Sequence, residues 1–361
     1  MEDNIFLKEV MISYTYPYLS CSIKTRTTDD ACEFAFYVYK NSQQILTVSY
    51  QKESSINLNV ANETGYFSVR GFVKLNGKIE KCLSHTIFVN PISIDFQQNE
   101  LSDAIVYNLQ RRWSFPALYF PADSPYLFVL CPSAVDRKKA NPPVFSRWTW
   151  VKKNIFPGNV LCIADPILNL YENINVGWCI GDKNNDGILD LSEIIMEIAY
   201  KKRIAFDKII FYGSSAGGFT ALALAACIEG SLAVAINSQT NILKFISRTA
   251  VDAIKKYCFG GLDENKIYDN FLNRIDMIDR YKTVYKSRVF LVQNILDQHH
   301  YETHYKPFIT SLGGDSALPG ISKFGRHISW LYSQEGGHVP ETIEMAQQII
   351  QIAMSGDCIA D

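Results

Sequence analysis

The stretch Lys208-Ile209-Ile210-Phe211-Tyr212-Gly213-Ser214-Ser215-Ala216-Gly217-Gly218 decides how this chain is read. A short apolar run ends in G-x-S-x-G, and an Ala- and Leu-rich segment over residues 217–229 follows at once. The pattern predicts a buried strand that turns sharply into a helix, with Gly213 and Gly217 at backbone positions where a Cβ would collide. Such a turn projects Ser215 at a helix N-terminus, where the helix dipole favours negative charge. The plainer alternative is a glycine-rich strand–helix turn with no chemistry.

Outward from this point, short apolar runs at 126–131, 160–164, 232–236, 289–293 and 328–332 alternate with helical patterns at 191–202, 242–257, 301–312 and 340–354. Strands alternating with helices predict a mostly parallel sheet covered on both faces, an α/β class. The first ~95 residues follow another rhythm. Segments 31–39, 45–50 and 66–75 are short and rich in aromatic and β-branched residues, and polar clusters separate them. They predict a small all-β sandwich of immunoglobulin or fibronectin type. Pro91 and the polar stretch 97–103 set the expected boundary, with a β module over 1–96 and the α/β domain over 97–361.

Composition excludes several classes. With 47% hydrophobic and 20% charged residues, the 361-residue chain is globular in character. Thirty-five Lys and Arg against thirty-seven Asp and Glu leave a net charge of −2, which argues against a nucleic-acid or anionic-membrane binder. The longest apolar run, 219–236, is broken by Glu229, Gly230 and Ser231, so no membrane span is expected. The opening MEDNIFLKEV has neither a basic nor an apolar signal region. Nine cysteines without CxxC or zinc-ligand spacing fit a reduced, cytoplasmic protein.

An activated serine needs a base and a group that orients the base. In this architecture the chain order is serine, acid, histidine. Asp297 ends the apolar run that starts at Arg288, and is the candidate acid, with Asp276 and Asp279 as competitors. It could also be a solvated loop carboxylate or a helix cap. His338 lies in Ser333-Gln334-Glu335-Gly336-Gly337-His338-Val339-Pro340, after the last apolar run, where such sheets place catalytic groups. The bland alternative is a histidine packed in a glycine-rich turn. His299, His300 and His304 with Glu302 invite a metal reading, but HHYETH is not HExxH. His300 is instead expected at the active-site mouth. One oxyanion donor should be the N–H of Ala216, and the second that of Ser133 or Ala134. Arg147, Trp148 and Trp150 form either a substrate platform or a core aromatic pair with a surface arginine.

A second motif runs from Asp182 to Glu193 and matches the calcium-loop pattern D-x-[DN]-x-[DN]-G-x5-E. Candidate ligands are Asp182, Asn184, Asp186, Ile188 through its carbonyl, Asp190 and Glu193, with Gly187 at the turn. The preceding segment does not look helical, and no partner loop exists elsewhere. The alternative is an Asp- and Asn-rich turn that caps a helix.

Residues from about 100 to 361 resemble the α/β-hydrolase superfamily through the Gly213–Gly217 turn, Asp297 and His338 in that order. With the β module in front, the layout is similar to proteins of bacterial surface-polysaccharide loci. More distantly it resembles the hydrolase-like acetyltransferase component of the accessory secretion system. That likeness rests on the segment 147–150, on Trp178-Cys179-Ile180-Gly181, and on 294–308. It implies acyl-group chemistry on a glycan or small ester, with no cofactor for the chemistry itself and acetyl-CoA as one kind of acyl donor. The β module would then meet a large acceptor or a protein partner. Three classes stay open: serine esterase or O-acyltransferase, serine peptidase, and non-catalytic binding or assembly factor.

Overall fold

The alternation of apolar runs and helical segments resolves into one large sheet. The structure, a computed structural model, describes residues 6–15, 18–27, 31–60, 63, 65–89, 93–96, 105–284 and 286–355. The boundary signals at Pro91 and 97–103 lie outside the described residues. The chain divides into two compact units, 1–92 and 93–361. The strand Ser93–Phe96, which the sequence boundary assigned to the first module, joins the sheet of the second unit.

In the first unit, Leu7–Thr15, Tyr18–Thr25 and Ser55–Asn59 make one antiparallel sheet. Gln43–Gln51, Glu33–Lys40, Gly65–Leu75 and Lys78–Leu83 make another, with Ile87–Val89 beside Gly65–Leu75. The side-chain period of two is plain in Gly65–Leu75, which buries Phe67, Val69 and Val73 and turns Tyr66 to solvent. One core joins both sheets through Val10, Leu19 and Ile23 on one side and Phe36, Phe67 and Val69 on the other.

The second unit holds a sheet of ten strands among the described residues. Its order is Gly320–Phe324, His327–Tyr332, Arg288–Asn294, Leu232–Ile236, Ile209–Ser214, Leu127–Leu130, Asn159–Ile163, Ser114–Phe120, Ile105–Gln110, Ser93–Phe96. The six strands from His327–Tyr332 to Asn159–Ile163 pair in parallel, and antiparallel strands flank them. Leu232–Ile236 and Asn159–Ile163 are buried at every residue, as strands covered on both faces must be. The helix Ala216–Ala225 is likewise buried throughout, which its Ala- and Leu-rich, non-amphipathic sequence demands. Among the described residues no helix is long and apolar enough to cross a membrane.

Two expected helices start later than their apolar pattern. The last begins at Ile343, where Thr342 caps it by accepting from Met345 N–H at 3.2 Å. The segment expected at 242–257 is a helical turn, Ile242–Lys244, followed by Arg248–Tyr257. Chain order reverses beside Leu127–Leu130, which has Asn159–Ile163 on one side and Ile209–Ser214 on the other. Loops leaving the carboxyl ends of neighbouring strands diverge at such a point and open a crevice. The site lies there.

Candidate active site

Ser215 sits between Ile209–Ser214 and Ala216–Ala225 with φ 55° and ψ −119°. The glycines make this possible. A Cβ on Gly213 would lie 2.1 Å from the carbonyl oxygen of Gly217, and one on Gly217 would lie 2.9 Å from that of Cys131. The half-buried Ser215 lies with its Oγ 3.0 Å from Nε2 of His338, whose Nδ1 lies 2.5 Å from Oδ2 of Asp297. The structure therefore brings together three residues separated by up to 123 positions.

The loop carrying His338 is pinned by two asparagines that sequence reading passed over. Asn294 donates to the carbonyls of Gln334 and Gly337 at 2.7 and 2.8 Å and accepts from Gln334 N–H at 2.9 Å. Asn237 accepts from the N–H of Asn294 and donates to Tyr332 Oη and the Val339 carbonyl. Asp297 is buried, which works against its charge. The hydrogen bonds from His300 and His338 outweigh that cost and hold its carboxyl well below the ordinary range.

His300 is not at the mouth of the site, which corrects its expected substrate role. It is 3% exposed and lies behind His338, the two rings stacked at 4.1 Å and 12°. Its Nδ1 is 3.0 Å from the other oxygen of Asp297, Oδ1. Its Nε2 meets Nε2 of Gln239 at 2.7 Å, and the same Gln239 nitrogen donates to Ser215 Oγ at 2.9 Å. Burial lowers the His300 pKa against the pull of Asp297, so the ring is neutral near pH 7. Gln239 belongs to Asn237-Ser238-Gln239-Thr240-Asn241, five successive buried polar residues after Leu232–Ile236. That run was the available signal.

The oxyanion candidates separate. Ala216 opens the helix, so its N–H has no intrahelical partner. The N–H of Ser133 donates to Ser146 Oγ at 3.2 Å, and its hydroxyl to the Ser214 carbonyl at 3.0 Å. With the Ser133 N–H engaged, the neighbouring Ala134 is the remaining candidate for the second donor.

Arg147, Trp148 and Trp150 do not make a substrate platform. Trp148 and Trp150 are partly buried against the main core. The Arg147 side chain, 11% exposed, grips the fully buried Glu341 with Nε at 2.6 Å and Nη2 at 2.8 Å. Nη2 also donates to Ser214 Oγ at 2.6 Å, and the guanidinium lies 5.5 Å from the ring centres of Trp150 and Tyr212. The arginine is thus neither a surface group nor a ligand; it braces the strand beneath the serine.

The carboxylates of the calcium-type loop, Asp182, Asp186, Asp190 and Glu193, do not converge, and the helix Gly187–Lys202 starts inside the motif. Asp186 caps that helix through the N–H groups of Ile188 and Leu189. Asp182 accepts from Asn184 and Asn185 N–H, closing the turn that carries Asn184. Asp190 is spent on the N–H groups of Arg112 and Trp113, and Glu193 pairs with Arg111. Among the described residues, the three acidic or imidazole groups gathered within 4.8 Å are Asp297, His300 and His338, not this loop. The residues do not fit a calcium ion as arranged.

The fold is the one α/β-hydrolases have, and it gathers a serine, a histidine and an aspartate at the carboxyl ends of its parallel strands. No family model and no curated protein matches the chain. Among solved structures it is similar to the capsule O-acetyltransferase of Neisseria meningitidis serogroup A, at 16% identity and TM-score 0.51 over 71% of this chain and 98% of that one. The same enzyme with caged gadolinium aligns over the same shares at 17% identity and TM-score 0.52. The Glycosylation Associate Protein complex from Streptococcus agalactiae aligns over 99% of this chain and 72% of that one, at 14% identity and TM-score 0.50. These likenesses establish the fold.

Two predictions follow from the bracing residues. Removing Arg147 leaves Glu341 buried with Tyr212 as its remaining hydrogen-bond partner, so Arg147→Ala should lose about 3–5 kcal/mol in urea unfolding. Its KM for small esters should hardly move. Unchanged stability with weakened substrate binding would restore the platform reading.

Asp165 holds the turn at Trp178 and Cys179, both at φ 52°, by accepting from Cys179 N–H at 3.1 Å. Burial raises its pKa to about 6, against the pull of backbone donors at Cys179, Ile167 and Gly177. A folded-state value above the unfolded one favours the fold at low pH and is lost as pH rises through about 6. Between pH 3 and 7 the stability of Asp165→Asn relative to wild type should therefore rise by up to about 3 kcal/mol. A flat difference would show that Asp165 titrates as an ordinary carboxyl.

Proposed function

We propose that this chain is a serine-dependent acyl-transfer enzyme, an esterase or O-acyltransferase acting on acyl groups of glycan hydroxyls. The observation that carries the reading is the unbroken line from Ser215 Oγ through His338 to Asp297, at 3.0 and 2.5 Å. Ser215 attacks the acyl carbon while its proton passes to Nε2 of His338, and ionised Asp297 stabilises the imidazolium. The N–H groups of Ala216 and Ala134 receive the oxyanion. His338 returns the proton to the departing group, leaving the acyl chain on Ser215. An acceptor hydroxyl or water then gives its proton to His338 and takes the acyl group.

His338 is exposed and Ser215 half-buried, which suits an acceptor too large for a closed pocket. The glycan class is drawn by analogy from the capsule O-acetyltransferase, which shares the fold. A structure of a variant of that enzyme contains CoA, so an acyl thioester such as acetyl-CoA is the proposed donor. A non-catalytic assembly role is a second reading. It is favoured by the likeness to the glycosylation-associated complex, which extends over 99% of this chain. The aligned relay favours catalysis.

A fluorophosphonate should label Ser215 and spare Ser214, whose hydroxyl is engaged by Arg147. Ser215→Ala should lower ester turnover by roughly 10⁴-fold or more. A folded protein that takes no probe and cleaves no ester would support the assembly role. With acetyl-CoA and a panel of oligosaccharides, thiol release should depend on the acceptor and match acetylated glycan. Acetate alone would reduce the reading to esterase, and peptide-amide cleavage without ester cleavage would replace it by peptidase.

A further inference from the structure

The indole Nε1–H of Trp178 donates to Oε1 of Gln239 at 3.2 Å, with both side chains fully buried. An indole nitrogen is a donor and never an acceptor, so this one contact settles which way the Gln239 amide points. Its NH₂ must face Ser215 Oγ at 2.9 Å and His300 Nε2 at 2.7 Å. His300 Nε2 therefore accepts, which places the ring proton on Nδ1, facing Asp297 Oδ1 at 3.0 Å. Asp297, ionised, can only accept, so His338 also carries its proton on Nδ1 and keeps Nε2 free to receive a proton from Ser215. The bonds close a ring, from Ser215 to His338, Asp297, His300, Gln239 and back to Ser215.

We propose that Gln239 is a catalytic hydrogen-bond donor to the nucleophilic oxygen, and that His300 and Trp178 are positioning residues that hold its amide toward Ser215. The inference rests on the acyl-transfer reading above. During acylation the Oγ–H bond breaks, its proton goes to His338 Nε2, and the bond from Oγ to the acyl carbon forms as the donor's C–O or C–S bond breaks. Gln239 gives up no proton. Its N–H meets the negative charge on Oγ as that charge develops, and meets Oγ again as the leaving oxygen in deacylation. A donor aimed in advance at a charge as it develops is the arrangement that lowers barriers.

The supports have no slack. Gln239 N–H reaches the Ser215 carbonyl at 3.4 Å, while Ser215 N–H donates to the Ile236 carbonyl at 2.8 Å, so the two backbones are tied to each other at the end of Leu232–Ile236. Trp178 is fully buried at φ 52°, a conformation that bulky residues adopt only when their surroundings enforce it. Asp165 supplies that enforcement at Cys179.

The test measures hydrolysis of p-nitrophenyl acetate by the full chain, with melting curves for every variant. Gln239→Leu should lower kcat by roughly 10²-fold with KM little changed. Trp178→Phe keeps the aromatic bulk but removes the indole donor, and should lower kcat in the same way while remaining folded. His300→Leu should lower kcat, whereas His300→Gln, which can both accept from Gln239 and donate to Asp297, should recover most of it. Wild type that labels at Ser215 beside Gln239→Leu and Trp178→Phe of undiminished kcat would overturn this inference alone. Equal losses in His300→Leu and His300→Gln would overturn the role of His300. Wild type inert to both probe and ester would overturn the acyl-transfer reading together with it.

Discussion

Where Ile209–Ser214 enters its helix, the backbone of Gly213 runs against that of Gly217 so closely that no side chain fits between them. This contact is the constraint on which the rest depends. It forces Ser215 into a backbone conformation worth about 1–3 kcal/mol of strain, which a free chain would not adopt. The strain is carried by the central strand before it, buried from Ile209 to Gly213, and by the fully buried helix after it. In return the serine oxygen stands clear of its own backbone, where the ends of four neighbouring strands can reach it. Gly218 adds a third close approach, against Ser238, and so draws the loop carrying Gln239 up to the same turn.

Charge is handled differently above and below this point. Below it, the buried Glu341 is matched by the bidentate Arg147 and by the hydroxyl of Tyr212 at 2.8 Å, so no net charge is left in the core. Above it, Asp297 is buried, and among the described residues no Lys or Arg is paired with it. Two imidazoles stabilise it through their Nδ1 atoms, one for each carboxylate oxygen. That arrangement keeps the negative charge available for the moment when His338 becomes positive. A permanent cation at Asp297 would have spent the same attraction in the resting state. Burial keeps His300 neutral, so the second imidazole does not compete for that role.

What the sequence made legible was local. Ser215, Asp297 and His338 each follow an apolar strand at a recognisable stage of an alternating pattern, and the glycines flanking Ser215 have a steric meaning that needs no partner. The parallel core was legible for the same reason. The remainder depended on contacts between distant segments. Arg147 stands next to the oxyanion loop in sequence, yet its partner Glu341 is 194 residues away, and nothing local announces that pair. The calcium-type motif misled because helix caps and calcium loops both use Asp and Asn at a turn with glycine. The cap that Asp186 makes to Ile188 and Leu189 shows that the helix begins inside it, and Asp190 turns to the distant backbone at Arg112 and Trp113. Gln239 and Trp178 carry no motif at all. They matter because Leu232–Ile236 lies beside Ile209–Ser214 in the sheet, a fact of strand order.

The placement of the two histidines on one acid follows from where their loops run. His338 rides on an exposed loop that contains Gly336 and Gly337 at positive φ, a poor platform for a base that must hold its direction within a fraction of an ångström. The fold compensates from beneath. His300 is buried on a short helical turn, stacks 4.1 Å under the His338 ring, and takes the second oxygen of the same carboxylate. Rotation of Asp297 about its own axis would break both imidazole bonds at once, so the carboxylate plane is fixed by two partners where a single partner would leave it free to swing. Asn294 and Asn237 then tie the glycine loop itself to the ends of Arg288–Asn294 and Leu232–Ile236. A solvent-facing imidazole thus inherits the rigidity of a buried one, and the outer face of the site stays open.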